Sequence, residues 1–210
     1  MDILTEGGSL LLERDYTLII DKSKNMSTSI PEPQTNLWSV VKETTVAIAQ
    51  ECERFDFDGL TLYLYADNFE RFNCLSKTQM REILEKTAPS GIAKLSGALQ
   101  DAISQYFQRR SLGLSKPNGE TLIVITASEP VDAEKVQQTI IEASQQMIHN
   151  EELGISFIQV GADAKAKKFW QKLDDDLQSM GAKFDICDTV AVEKMDRSLL
   201  AEVLLNAIID

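Results

Sequence analysis

The chain is poor in the residues on which most site chemistry is built. It holds one histidine, His149, and three cysteines, Cys52, Cys74 and Cys187, among 210 residues. The cysteines stand far apart, with no CxxC or zinc-type spacing, which removes a structural zinc site and a redox pair. Their odd number fits reduced, mostly buried thiols in a reducing compartment. His149 lies in a polar stretch and reads as a solvated residue in the last turn of a helix, not as a catalytic base. No apolar run approaches the roughly 18 residues that a membrane helix needs. Met1–Gly8 is acidic and lacks a basic start, and Leu10–Leu12 is too short for the apolar core of a signal peptide. These absences together give the expectation of a cytoplasmic protein. Positive charge is scarce too: 21 Lys and Arg stand against 33 Asp and Glu, a formal net charge of −12. Nucleic acid or an anionic membrane would be repelled, so neither is expected as a partner. The sequence has no GxGxxG, GxxxxGK[ST] or GxSxG, so dinucleotide, P-loop and α/β-hydrolase sites lack their working parts.

What is present is an alternation of strand-like and helix-like segments. Asp15–Ile20, Leu60–Tyr65, Thr121–Thr126 and Ile155–Val160 are short apolar runs of the kind buried inside a parallel sheet. Phe69–Leu75 follows the second of them closely enough to pair antiparallel. Lys183–Cys187 reads as a late strand. Helical spacing covers about 36–55, 77–87, 94–110, 132–150, 164–180 and 196–209. Ser76, Asp132 and Asp196 stand where helix caps are expected. Ser27–Thr35 is a polar, proline-containing loop. The alternation implies an α/β fold: a doubly wound, mostly parallel central sheet with one short antiparallel edge strand and helices on both faces. Residues 1–14 read as an N-terminal extension and 15–210 as one domain. In such sheets ligands bind beyond the carboxyl ends of the strands, where strand order reverses. The ends at Asp21 and at Thr126–Pro130 are therefore expected to be neighbours.

Asp15–Ser27 (DYTLIIDKSKNMS) carries the sharpest local signal. The apolar run stops at Asp21, and Ser23 and Asn25 follow at alternate positions. Hard oxygen donors gathered at one point suit a cation such as Mg²⁺. The same residue types also form hydrogen-bonded turns, so the spacing alone fits either.

Three ordered segments, LIIDKSKNM, SGIAKLSGALQDA and LIVITASEP, resemble von Willebrand factor A-type domains. ISFIQVG and GAKFDICDTV are similar to the later strands of intracellular bacterial members. The resemblance implies a metal-ion-dependent adhesion site in which Mg²⁺ keeps a position open for a partner's carboxylate. It assigns the ligands Asp21 and Ser23, with Asn25 in place of a second serine. The remaining two ligand positions fall on Ala93 and Ala127, whose methyl groups cannot coordinate. The resemblance therefore implies a degenerate site with weak Mg²⁺ binding or none, and no required cofactor. A Lys–Asp21 pair, from Lys24 or Lys94, is expected in the metal's place.

The expected function is a non-catalytic module that binds another protein at the rim of Asp21–Thr28, Ser90–Leu95 and Ala127–Pro130. Lys22, Lys24, Lys94, Ser128 and Glu129 are the candidate contacts, with the lysines meeting acidic groups. The alternative is a Mg²⁺-dependent phosphate-processing hydrolase using Asp21. A dehalogenase-type phosphatase would need a second Asp where Ser23 stands.

Overall fold

Apolar runs without polar alternation occupy the middle of a sheet covered on both faces. The computed structural model describes residues 8–30 and 35–192. Six strands form the main sheet: β1 Asp15–Asp21, β2 Leu60–Tyr65, β3 Phe69–Leu75, β4 Glu120–Thr126, β5 Leu153–Gln159 and β6 Cys187–Ala191. Their order is β3-β2-β1-β4-β5-β6, and every pairing is parallel except β2 with β3. Helices α1 Leu37–Cys52 and α2 Lys77–Lys86 contribute to one hydrophobic cluster with Leu18, Ile20, Ile123 and Ile125. Helices α3 Ser96–Ser111, α4 Ala133–Gln146 and α5 Ala164–Asp175 pack on the other face with Ile19, Leu122, Val124 and Phe157. The two sets alternate along β1 and β4 as the two-residue side-chain period requires. Trp170 is buried there and stacks on Phe157 with ring centroids 4.4 Å apart.

The chain leaves β1 toward β2 and β3, then returns on the other side of β1 to build β4, β5 and β6. Strand order therefore reverses between β1 and β4, and their carboxyl ends flank the crevice where such sheets bind ligands. At the opposite end, Arg14 is wholly buried just before β1. Its Nε donates to Thr121 Oγ1 at 2.6 Å, and its other nitrogens donate to the carbonyls of Glu151 at 2.7 Å, Glu120 at 2.9 Å and Asn118. One guanidinium thus ties the entrances of β1 and β4 to the turn before β5. Burial pulls its pKa down to about 10.

The edge strand β3 is irregular. Its register with β2 shifts between Leu60 and Leu62, and Cys74 sits at φ 55°, a region that favours glycine. Gly59 faces it at φ 99°; an added Cβ there would lie 2.8 Å from the Cys74 backbone.

Several sequence expectations shift. The late strand is Cys187–Ala191, not Lys183–Cys187: Gly181 turns the chain at φ 109°, and pairing with β5 begins only where Cys187 meets Ile155. The fifth helix ends at Asp175 and gives way to turns through 180. The helix expected to reach residue 150 ends at Gln146, so His149 precedes a 3₁₀ turn, Asn150–Glu152, outside any helix end. Within the loop 27–35, Ser29–Ile30 pairs antiparallel with Thr35–Asn36. On α3, Tyr106 is in the core and Phe107 is only partly buried. The helix expected over 196–209 lies outside the described residues.

Arg14→Ala leaves the buried Thr121 hydroxyl and Glu120 carbonyl without their donor and cuts the links to the Asn118 and Glu151 carbonyls. We expect a loss of about 3 kcal/mol in urea unfolding, the scale for orphaning several buried polar groups.

Candidate functional site

β1 lies between β2 and β4, so Asp21 emerges at the centre of the sheet's upper end. Its side chain is 0% exposed. Oδ1 accepts from the Ser23 backbone N–H at 2.7 Å, and Oδ2 accepts from Thr126 Oγ1 at 3.1 Å across the β1–β4 junction. Burial raises the Asp21 pKa, opposed by the Ser23 and Ala127 N–H groups and the Ser23 and Thr126 hydroxyls. The Ser23 hydroxyl helps electrostatically, yet it is buried and makes no hydrogen bond of good geometry. Tyr65, beside Asp21 in the sheet register, likewise buries a hydroxyl without a partner. Asn25 is exposed and its Nδ2 donates to Ser128 Oγ at 3.1 Å. Asp21, Ser23, Asn25, Thr126 and Ser128 thus come together. Ala93 and Ala127 are buried.

The surrounding loops are held by backbone hydrogen bonds. Lys22 N–H reaches Tyr65 O at 2.9 Å, Ser90 N–H reaches Lys22 O at 2.8 Å, and Lys24 N–H reaches Gly91 O at 3.0 Å. Lys94 N–H reaches Ala66 O at 3.1 Å, and Val131 N–H reaches Ala93 O at 2.9 Å. Gly91 permits this packing: its φ is +78°, and a Cβ would fall 2.2 Å from Asp67 Oδ2.

The expected Lys–Asp21 pair does not form. Asp21 is satisfied by the Ser23 N–H and the Thr126 hydroxyl, and Lys24 and Lys94 stand exposed without an ion pair among the described residues. Lys22 pairs with Glu70 at 2.8 Å, and Glu129 accepts from Lys165 at 2.9 Å. Thr126, at the end of β4, is the residue that closes the carboxylate's shell. Asp132 holds the N-cap position of α4, as expected, but its side chain makes no cap bond there. Its carboxylate instead accepts from the backbone N–H groups of Leu95 and Ser96, both at 3.1 Å, and so caps α3. Position in sequence identified Asp132 as a cap, but only the packing of α4 beside α3 decides which helix it serves.

A second polar group lies at the opposite end of the sheet. Asp15, Asp56 and Asp58 bring carboxylate oxygens within 4.8 Å of one another. The chain supplies its own cation there: Lys116 Nζ lies 2.6 Å from Asp58 and 3.3 Å from Asp15, and is hydrogen-bonded to Asp56. Burial and the hydrogen bond with Asp58 push Asp56 up to about 7, while the same bond and Lys116 hold Asp58 down to about 2.

The strand order, the single antiparallel edge and the two helical layers define a von Willebrand factor A-like fold. The chain is similar to the manganese-loaded TRAP protein of Plasmodium vivax, with a TM-score of 0.64 and 15% identity over 94% of this chain and 74% of that one. It is similar to the D319A mutant of the PilB minor pilin of Streptococcus sanguinis, with a TM-score of 0.62 and 9% identity. That match covers 93% of this chain, which spans 60% of the pilin chain. BatB of Bacteroides thetaiotaomicron, a conserved hypothetical protein, gives a TM-score of 0.56 and 15% identity over 92% of this chain and 98% of its own. No protein-family model and no curated protein sequence matches.

The carboxylate–lysine group predicts a pH signature. Asp56 keeps its proton to higher pH folded than unfolded, so its stabilising contribution is full below its ordinary 3.8 and is lost as pH rises through about 7. Asp58 acts in the opposite sense, its contribution present above 3.8 and lost as pH falls through about 2. Urea midpoints measured between about pH 5 and about pH 8 are expected to fall in the wild type and to fall less in Asp56→Asn.

Proposed function

We propose that this chain is a non-catalytic interaction module that binds a partner protein at the upper rim, with no divalent ion required. The observation that carries this reading is the state of Asp21. Its carboxylate is wholly buried, and both its oxygens are engaged by donors of the protein itself. Two positions that the family resemblance would give to ligands carry the methyl groups of Ala93 and Ala127. Beside Asp21 the Ser23 and Tyr65 hydroxyls are buried without a hydrogen-bond partner, and two neutral hydroxyls do not complete an octahedral Mg²⁺ shell. These residues do not fit the ion. The manganese carried by the TRAP structure is therefore not transferred to this chain.

Burial of Asp21 also supports a non-catalytic reading over the hydrolase alternative, since a nucleophile must reach its substrate. The rim supports docking because its loops are fixed by backbone hydrogen bonds, which lowers the ordering cost of association. Lys24 and Lys94 face solvent there and suit an acidic partner surface. No described helix is long and apolar enough to cross a membrane. With its unpaired cysteines, the chain fits the cytoplasm, as we propose.

Calorimetric titration with Mg²⁺ or Mn²⁺ is expected to show no saturable binding below millimolar concentration, and micromolar affinity would refute the metal-free reading. The immobilised protein is expected to retain a partner in EDTA, and the double variant Lys24→Glu, Lys94→Glu is expected to lose it. Retention that depends on added Mg²⁺ would favour the metal-completed mechanism, and turnover of phosphate esters abolished by Asp21→Asn would favour the hydrolase.

A further inference from the structure

We propose that the rim reads an extended acidic peptide segment bearing an apolar side chain, the apolar group packing on Ile92 and Val131 and its flanking carboxylates meeting Lys24 and Lys94. This rests on the reading of the rim as the docking face and names the chemistry of what docks there.

Ile92 is 47% exposed and Val131 is 64% exposed, although each adjoins a buried residue, Ala93 and Pro130 respectively. Their exposure is built in. Gly91 and Lys94, on either side of Ile92 and Ala93, are held by the bonds to Lys24 N–H and Ala66 O. Val131 is fixed by its own N–H, bonded to Ala93 O at 2.9 Å. The two loops therefore touch through their backbones, and each presents a branched apolar side chain to solvent. Leu95 and Ala93 in the same segment turn inward. A loop with freedom to relax would bury such a side chain at a gain of about 1.5–3 kcal/mol. Rigid display of apolar groups is the arrangement that a partner's hot-spot residue exploits.

Charge selects the kind of partner. The chain as a whole carries −12, yet the bases at this rim are left available. Glu70 and Glu129 are paired with Lys22 and Lys165 in solvent-exposed ion pairs. Asp132 is spent on the N–H groups of α3. Asp67 lies against Gly91 and opposes the lysines. Lys24 and Lys94 stand on the same backbone-linked loops as Ile92, exposed and without an ion pair among the described residues. An acidic segment gains from both lysines, against the opposing charges of Asp67 and the exposed Glu134 at the start of α4, while a basic one forfeits the lysines.

The test is selection from a display library of random linear peptides on the immobilised protein in EDTA, followed by anisotropy measurements with one selected, labelled peptide. Selected sequences are expected to carry Asp or Glu around a Leu, Ile, Phe or Trp. The variant Lys24→Glu, Lys94→Glu and the variant Ile92→Ser, Val131→Ser are each expected to weaken binding about tenfold or more, with affinity falling as salt rises. Asp67→Asn is expected to strengthen it. All of these side chains are exposed, so circular dichroism and melting should be unchanged; Leu114→Ser, at the far end of the sheet, serves as the neutral control. Peptides that bind but ignore every rim variant would overturn this proposal and the rim reading together. Peptides lost with the lysine variant but insensitive to Ile92→Ser, Val131→Ser, or basic in composition, would overturn this proposal and leave the rim reading standing. Failure to enrich any peptide would also overturn it.

Discussion

A carboxylate buried at the end of a central strand has to be satisfied from within the protein, and the upper end of this molecule is arranged around that requirement. Asp21 cannot reach water, so its oxygens draw in the Ser23 N–H and the Thr126 hydroxyl. The first of these bends the chain sharply off β1, and the second locks β1 to β4 where strand order reverses. The loops that follow are then fixed relative to one another by main-chain hydrogen bonds. An unpartnered carboxylate at this depth would cost several kcal/mol, more than a small domain can spare. The loop geometry is thus a consequence of one buried group.

The two ends of the sheet solve their charge problems differently. At the upper end, the buried acid is met by neutral donors, Lys22 pairs with Glu70, and Lys24 and Lys94 are left to solvent. At the lower end the donors are cations: Arg14 donates to backbone carbonyls, Arg109 meets Glu120 at 2.6 Å, and Lys116 lies among three aspartates. Ionic cross-links at the lower end use cations internally, whereas the upper end keeps Lys24 and Lys94 free of ion pairs among the described residues. Structural work and surface display are in this sense divided between the two ends.

The fold was legible because it is written in hydrophobic period. Unbroken apolar runs that are short and rich in β-branched residues, such as TLIVIT, read as central strands, and their alternation with helical spacing leaves few topologies. The pairing of Phe69–Leu75 with its predecessor followed from the short turn between them. The late strand was misplaced because GAKFDICDTV has β-prone residues throughout, and pairing with β5 alone decides which of them form the strand. At the site, Asp21, Ser23 and Asn25 were readable from spacing after a strand. Thr126 and Asp132 were not, since each acts on a partner distant in sequence. The direction of Lys24 and Lys94 was also hidden, being set by backbone bonds across loops and not by side-chain chemistry.

The kinked border of the sheet has a consequence for how copies of this protein coexist in solution. β3 stands at the end of the sheet order, is largely exposed, and carries aromatic residues, all of which invite recruitment of a neighbouring chain. The displaced register and the left-handed Cys74 backbone opposite Gly59 break the straight ladder of amide groups that fibril growth copies. Glu70 and Arg71 add charges that two stacked copies would have to bring together. A local irregularity in one short hairpin thereby acts as a safeguard against runaway polymerisation.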